Sequence, residues 1–233
     1  MTAITRFFLK NMINLYFGKA IDVIRVLLIH YPQSMTLRAL AKESGVSLGQ
    51  AFKVSKALIN EGMALRDSYN YEFELMSQFV LLKRWATINN FVANTRFIEY
   101  YTPEDSDILE KLKFESKWSN RIEYAFTGLF GALLVAPFVR PTNTHIYVKT
   151  EYDAKKLANL LDLMPIEGYG NVKFAIAKSN GIFYGVKEVD ELQVVSNVQL
   201  YVDLLNYPAH GEEAANEVCK LIENDWEMIY NCH

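Results

Sequence analysis

The segment SGVSLGQAFKVSKALINEG, residues 44–62, constrains the fold of this chain more than any other stretch. Its Gly-Val pair is typical of a tight turn, and Ser47 follows as a helix N-cap. Gln50, three residues later, completes the S-x-x-Q pattern of a capping box. Gly62 ends the helix. Apolar residues recur on one face of this predicted helix: Ala51, Val54 and Leu58.

Two further helices are predicted before this turn. Residues 19–30, KAIDVIRVLLIH, carry apolar residues at helical spacing, and Pro32 breaks the pattern. Thr36 is a good N-cap for a second, shorter helix over residues 37–44, LRALAKES.

Two short strands are predicted after the capped helix. Residues 63–76, MALRDSYNYEFELM, hold a polar turn at 67–70, with Leu65 and Phe73 expected to face inward. The order of elements is then helix, short helix, tight turn, capped helix and β-hairpin. This order, over residues 19–76, resembles a winged helix-turn-helix. In such folds the third helix enters the major groove of DNA and the hairpin touches the flanking backbone.

The winged-helix resemblance implies a set of DNA contacts. Lys53 and Lys56 share a face of the capped helix and are spaced to neutralise neighbouring phosphates. Gln50 suits a hydrogen bond to adenine, and Gly49 lets the backbone approach the DNA. Free N–H groups at the start of the short helix are able to hold a phosphate. Whether Phe52 packs on the first helix or stacks against a sugar stays open. The predicted DNA-binding residues are Thr36, Arg38, Ser47, Gly49, Gln50, Lys53, Lys56 and, from the hairpin, Arg66, Tyr69 and Asn70.

Charge is unevenly distributed along the chain. Residues 1–96 carry 12 Lys and Arg against 6 Asp and Glu, whereas residues 97–233 carry 12 against 21. A basic half that contains the helix-turn-helix pattern favours a polyanionic partner, double-stranded DNA. An alternative stays open, because winged helices also dock proteins and lysines are common on any solvent-exposed helix face.

Two segments around this pattern are expected to form extra helices. Residues 77–95 carry one apolar stripe, and the N-terminal residues 4–17 offer a second apolar set. Either segment could pair two subunits into a homodimer, or simply cover its own core. We therefore assign residues 1–95 to a DNA-binding domain with added helices. The two apolar sets are Leu81, Trp85, Ile88 and Val92, and Ile4, Phe7, Phe8, Leu15 and Tyr16.

The second half, residues 96–233, predicts a mixed α/β domain, so the fold class of the whole chain is expected to be α+β. Residues 171–177 and 181–189 are predicted to pair as two strands. Ser196 and Gln199 repeat the S-x-x-Q pattern at the start of the last two helices.

Two segments of this half resemble a known family. They are YAFTGLFGALLVAPFVRP, residues 124–141, and VQLYVDLLNYPAHGEEAANEV, residues 198–218. They look like the C-terminal domain of AbiEi-type antitoxins, winged-helix transcriptional regulators associated with abortive infection and type IV toxin–antitoxin pairs. The motifs that carry the resemblance are Tyr-x-x-Thr-Gly-x-x-small in the first segment and Asp-Leu…Gly-Glu-Glu-Ala-Ala in the second. Members often carry Arg before the glycine of the second motif, where this chain has His210.

The antitoxin resemblance implies a DNA-binding autorepressor whose C-terminal domain counters a nucleotidyltransferase-like toxin. From the residues alone, the two motifs that carry this resemblance are expected to have structural roles. Thr127 and Gly128 would let the following helix pack closely on a sheet, and the Gly-Glu-Glu of residues 211–213 would open the last helix. A third reading, a regulator that senses a small molecule, depends on aromatic residues of this half: Phe126, Phe130, Tyr147, Phe174 and Tyr184.

The sequence does not favour catalysis. Asp203 lacks a second acid two residues away, no nucleotide-binding or hydrolase loop is present, and the four histidines are scattered. We therefore expect no catalytic residues, no metal and no cofactor. The longest apolar run, residues 128–139, is too short to span a bilayer, and Cys219 and Cys232 match no metal-ligand spacing. These features predict a cytoplasmic protein with no membrane partner.

Overall fold

The computed structural model describes residues 15–69, 71–103, 105–115, 122–137 and 141–230. Asn70 and most of the N-terminal apolar set lie outside the described residues. The chain divides into two compact units, Met1–Leu81 and Leu82–His233. Helices and strands are mixed in both, so the predicted α+β class is confirmed. In the described parts, no helix has both the length and the apolar character needed to cross a bilayer.

The first unit combines helices with a small antiparallel sheet. The strands lie in the order β1-β3-β2, with Met35 opposite Phe73 and Ala64 opposite Leu75. The elements, in chain order, are α1 (Lys19–His30), β1 (Met35–Thr36), α2 (Leu37–Glu43), α3 (Leu48–Asn60), β2 (Ala64–Arg66) and β3 (Glu72–Leu75).

The turn between α2 and α3 forms as the sequence predicts. Gly45 has a φ of 62°, which glycine adopts without a steric penalty. Thr36 Oγ1 accepts a hydrogen bond from the Ala39 N–H at 3.2 Å, and Ser47 Oγ accepts one from the Gln50 N–H at 3.2 Å. Each hydroxyl therefore satisfies a backbone donor that the first turn of a helix leaves free.

Helix α1 is buried more completely than its apolar pattern predicts. Every residue from 22 to 28 is buried, including two of opposite charge. Arg25 Nη1 donates to Asp22 Oδ1 at 2.6 Å, one turn apart on the helix. Because an isolated buried charge is costly, this ion pair accounts for how two charged side chains fit within the core.

The hairpin forms, but one of its predicted inward residues is wrong. Phe73 is buried, whereas Leu65 keeps 54% of its surface exposed. Side chains alternate between the two faces of a strand, and Ala64 occupies the inward position of β2. Strand β1, which has two residues and pairs with β3, was not predicted from the sequence.

The second unit is built on a seven-stranded mixed sheet in the order β7-β4-β8-β6-β5-β10-β9. Pairs β6–β8 and β5–β10 are parallel, and the other neighbours are antiparallel. Its elements are α4 (Gln78–Ile88), which begins in the first unit, α5 (Phe91–Asn94), β4 (Phe97–Tyr101), α6 (Asp105–Glu115), β5 (Tyr124–Thr127), α7 (Gly128–Val135), β6 (Thr144–Val148), α8 (Glu151–Leu160), β7 (Met164–Pro165), β8 (Val172–Ile176), β9 (Lys187–Val189), β10 (Leu192–Val194), α9 (Asn197–Leu204) and α10 (Gly211–Tyr230).

The predicted helix over residues 77–95 is interrupted. Helix α4 ends at Ile88, and Asn90 caps α5 by accepting a hydrogen bond from the Ala93 N–H at 2.9 Å. The prediction of one continuous helix is therefore wrong, and Ile88 and Val92, on either side of the break, are 45% and 43% exposed. Its first half is confirmed: Leu81 and Trp85 are buried.

The predicted pairing of residues 171–177 with 181–189 is also wrong. Strand β8 pairs with β4 and β6 instead. The chain then forms a short 3₁₀ turn, Asn180–Phe183, before β9 pairs with β10. The serine half of the predicted Ser196–Gln199 capping box is confirmed, since the Ser196 hydroxyl accepts from the Gln199 N–H at 3.2 Å. The Gln199 side chain donates to Asp203 Oδ1 instead of completing the box.

The C-terminal ends of α4 and α9 are linked by two asparagine side chains. Asn206 Nδ2 donates to the carbonyl oxygens of Ala86, Thr87 and Asn89 at 2.8, 3.2 and 2.7 Å. Asn89 Nδ2 donates in turn to the Val202 carbonyl at 3.3 Å. Carbonyls that lack a partner at the end of a helix are thus satisfied by side chains distant in sequence.

Candidate nucleic-acid interface

Helix α3 has one buried and one exposed face. The buried face carries the apolar residues that the sequence predicts, Ala51, Val54 and Leu58, each with 0% exposure. The opposite face is open to solvent and carries Leu48, Gly49, Phe52, Lys53, Lys56 and Asn60.

Cations dominate the polar part of this surface. Lys53 and Lys56 are exposed on α3, and Arg38 is exposed on α2. Within the described residues, none of the three forms an ion pair. Their charges are therefore not neutralised by the chain's own described carboxylates, and they are available to an external anion.

Gly49 lies on the exposed face with open space in front of it. A Cβ atom built at this position has no other heavy atom within 4 Å. The packing of this unit therefore does not require glycine there. Gln50, the next residue, is half-buried, and its backbone N–H is bonded to the Ser47 hydroxyl.

The turn of the hairpin presents one cation and exposed aromatic rings. The Arg66 guanidinium lies 5.0 Å from the ring centroid of Tyr71 and 5.7 Å from that of Phe73. Stacking of this kind holds the arginine on the surface of the hairpin. Tyr69 is 95% exposed, and its N–H donates to Asp67 Oδ1 at 2.6 Å.

The structure thus brings together the predicted residues of α3 on or beside one face, and it places Arg66 and Tyr69 on the hairpin. Of the apolar part of the α3 face, sequence reasoning left the role of Phe52 open and did not consider Leu48. Leu48 keeps 49% of its surface exposed and Phe52 keeps 44%. Phe52 is therefore not enclosed against the first helix. The available signal was its position off the buried face of α3.

In the second unit, a buried carboxylate joins the two family-like segments. Asp203 accepts hydrogen bonds from the Thr127 hydroxyl at 2.7 Å, the Gln199 side-chain amide at 2.8 Å and, more weakly, the Tyr147 hydroxyl at 3.4 Å. Asp203 is 1% exposed and Thr127 is 0% exposed. A carboxylate so enclosed and so bonded holds elements together and offers no access to a substrate.

Three glycines of the two segments lie close to other groups of the chain. A Cβ on Gly128 would lie 3.4 Å from His145 Nδ1, and one on Gly131 would lie 3.2 Å from the Phe126 carbonyl oxygen. At Gly211 it would come within 2.5 Å of the Leu204 carbonyl oxygen. At Gly128 the 3.4 Å distance is an ordinary van der Waals contact, so it is the φ of 61° rather than close packing that favours glycine there.

His145 is a buried histidine beside this cluster. Its ring contacts the rings of Phe91, Phe97 and Tyr207, and its Nδ1 has no hydrogen-bond partner in the described structure. Burial lowers its pKa to about 4, with a further lowering from Lys173 and an opposing effect of Glu99. The imidazole is therefore neutral at physiological pH.

The aromatic residues proposed for a ligand box lie mostly in the core. Phe126, Phe130, Tyr147 and Phe174 are buried. An open groove of about 630 Å³ lies instead beside β4 and residues 165–168, and none of the five aromatic residues lines it. Nor do the described residues contain a group of three or more His, Cys, Asp or Glu placed to hold a metal ion. Cys232 and His233 lie outside the described residues.

The two family-like segments therefore meet inside the second unit, and the exposed basic face of α3 lies in the first. Residues 74–228 match the model of a family described as transcriptional regulator, AbiEi antitoxin, type IV toxin–antitoxin system. The chain belongs to this family, one of regulators and antitoxins. The match contains both segments that carry the resemblance, and α1 to α3 lie outside it. Comparisons with curated proteins and with solved structures found no match.

Proposed function

We propose that this protein is a sequence-specific regulator of transcription in which residues 19–76 form a winged helix-turn-helix that binds duplex DNA. The observation that carries the proposal is the exposed basic face of α3. The element order α1, β1, α2, α3, β2, β3 and the sheet order β1-β3-β2 support it. In this arrangement α3 is the recognition helix and the β2–β3 hairpin is the wing.

The proposed contacts divide into three groups. Lys53, Lys56 and Arg38 neutralise phosphates, which supplies affinity without sequence information. Gln50 reads a base edge, with Gly49 beside it allowing a close approach. The wing residues contact the flanking backbone. Thr36 and Ser47 serve indirectly, since their hydroxyls fix the starts of α2 and α3.

We also infer a role in a toxin–antitoxin pair, supported by the family match over the second unit. The regulator would repress its own promoter, and the second unit would act against a nucleotidyltransferase-like toxin. A homodimer would place two α3 helices on the two halves of an operator. Co-expression with a neighbouring toxin gene tests the antitoxin role by growth rescue, independently of DNA binding.

Fluorescence anisotropy on the duplex upstream of the protein's own gene tests DNA binding. The wild type is compared with Lys53→Ala/Lys56→Ala on this duplex and on a scrambled one, over a series of salt concentrations. Removing two phosphate contacts is expected to reduce the slope of log affinity against log salt by about 2. The matched control is Lys155→Ala/Lys156→Ala, which removes two exposed lysines from α8 of the second unit.

Tighter binding to the upstream duplex, weakened by salt and by the α3 variant but not by the α8 variant, supports the proposal. Equal weak binding to both duplexes, unchanged in the α3 variant, refutes it. That second result favours the alternative in which the winged helix docks a protein partner.

A further inference from the structure

The exposed face of α3 contains an apolar ridge beside its lysines. Leu48 and Phe52 are four residues apart, so they are neighbours on one side of the helix. They keep 49% and 44% of their surfaces exposed. Lys56 continues the same row, one further turn along. Exposed apolar side chains are normal singly, but two neighbouring ones next to exposed lysines suit a partner that has apolar groups.

The charges beside Leu48 and Phe52 indicate what kind of partner these two side chains contact. Lys53 and Lys56 adjoin them on α3, and no described carboxylate pairs with either lysine. A partner that suits this surface must therefore carry negative charge together with small apolar groups that the side chains of a helix can reach. The major groove of DNA provides both, because phosphates line its edges and each thymine projects a C5-methyl group into it.

We propose that Leu48 and Phe52 read thymine methyl groups, so that the operator of this protein carries thymines opposite the start of α3. This inference rests on the proposed DNA-binding function and specifies what the recognition helix recognises. The two side chains are separated by about 6 Å along the helix axis. Successive bases rise by about 3.4 Å, so the methyl groups are expected one or two base steps apart.

The test replaces single methyl groups in the DNA. A duplex that binds most tightly is first selected from a random library, and each thymine is then replaced in turn by deoxyuridine, which lacks only the methyl. At two positions the wild type is expected to lose about fourfold in affinity each, the value of one buried methyl-sized group. Phe52→Ala should bind the thymine and uracil duplexes equally at one of these positions, and Leu48→Ala at the other.

Tyr152→Ala is the matched control. Tyr152 is also an exposed aromatic residue on a helix, 73% exposed on α8 of the second unit. This variant should keep the full dependence on the thymine methyl groups. Circular dichroism of each variant checks folding, which truncation of a half-exposed side chain should preserve.

The outcomes separate the two proposals. If no duplex is enriched and binding to every duplex is insensitive to salt, the DNA-binding function itself fails. If a duplex is selected and bound but no uracil substitution weakens binding, DNA binding stands and thymine reading is overturned. Equal methyl dependence in Phe52→Ala, Leu48→Ala and the wild type also overturns it, because the methyl groups would then contact other residues.

Discussion

The hydroxyl of Thr127 donates a 2.7 Å hydrogen bond to Oδ2 of Asp203, across 76 positions of sequence. Thr127 ends β5 and Asp203 lies in α9, so the bond ties the end of a strand to a helix distant in sequence. Both residues are buried, and each belongs to one of the two segments that carry the family resemblance. These two residues of the family-like segments thus have a structural role, a polar contact within the core.

Loss of the Thr127 hydroxyl is expected to destabilise the protein. Thr127→Val keeps the shape of the side chain but leaves Asp203 Oδ2 without this donor, at a cost of about 1–3 kcal/mol. Thr127→Ser retains the hydroxyl and should cost less. The free energy of unfolding of each variant in urea measures the difference. If Thr127→Val proved as stable as the wild type, the hydrogen bond to Asp203 would contribute nothing to stability.

His145 is expected to make stability depend on pH. Its pKa is about 4 when folded, against 6.5 for the free side chain, so between these values the unfolded chain binds a proton that the folded chain does not. Stability should therefore fall as pH falls, by about 2 kcal/mol between pH 7.5 and pH 5 from this residue alone. Urea unfolding of the wild type and of His145→Gln at both pH values isolates this contribution. An identical pH dependence in both proteins would contradict the assignment.

The buried ion pair of α1 should be intolerant of losing one partner. Asp22→Ala removes the carboxylate that is bonded to the buried Arg25 guanidinium, which is expected to cost about 3–5 kcal/mol. Asp22→Leu/Arg25→Met removes both charges and should recover most of that loss. Thermal and urea unfolding compare the two variants. A double variant no more stable than the single one would show that the pair provides more than mutual neutralisation.

A substitution at Gly49 is expected to affect DNA binding without destabilising the fold. Because a Cβ at this position meets open space, Gly49→Ala should fold normally and gain up to about 1 kcal/mol from helix propensity. It should nevertheless bind DNA more weakly, since the added methyl lies on the surface proposed to approach the duplex. Asn60→Ala, at the far end of the same helix, is the control, and unfolding and anisotropy are measured on both. Undiminished DNA affinity in Gly49→Ala would remove this residue from the interface.

Features that depend on neighbouring residues could be predicted from the sequence. The Ser47 cap joins the serine hydroxyl to a backbone N–H three residues on, so a serine at the start of an apolar helical pattern is enough to predict it. The buried face of α3 follows from helical periodicity in the same way. Short strands were harder to predict, because in a three-residue strand such as β2 a shift of one position reverses which side chains face inward. Leu65 is the residue for which that prediction was wrong.

Interactions between distant residues could not be predicted. Neither the neighbours of Asp203 in sequence nor its spacing indicates that Thr127 is its partner. The break between α4 and α5 is likewise accompanied by contacts from Asn206, more than a hundred residues away. In the candidate DNA interface, the sequence predicted the lysines of α3 as exposed, but only the fold revealed how much of Leu48 and Phe52 remains uncovered.

The side chain of Asn206 has a consequence for the chemical ageing of the protein. Its Nδ2 faces three carbonyl oxygens, so the position requires a donor. Deamidation would convert this asparagine to aspartate, nearly identical in shape but carrying negative charge and only acceptors at neutral pH. The same oxygens would then repel the side chain and lose their partner. A spontaneous change at one exposed residue would thus remove one of the two asparagine links between the ends of α4 and α9 and leave only the bond from Asn89 to Val202.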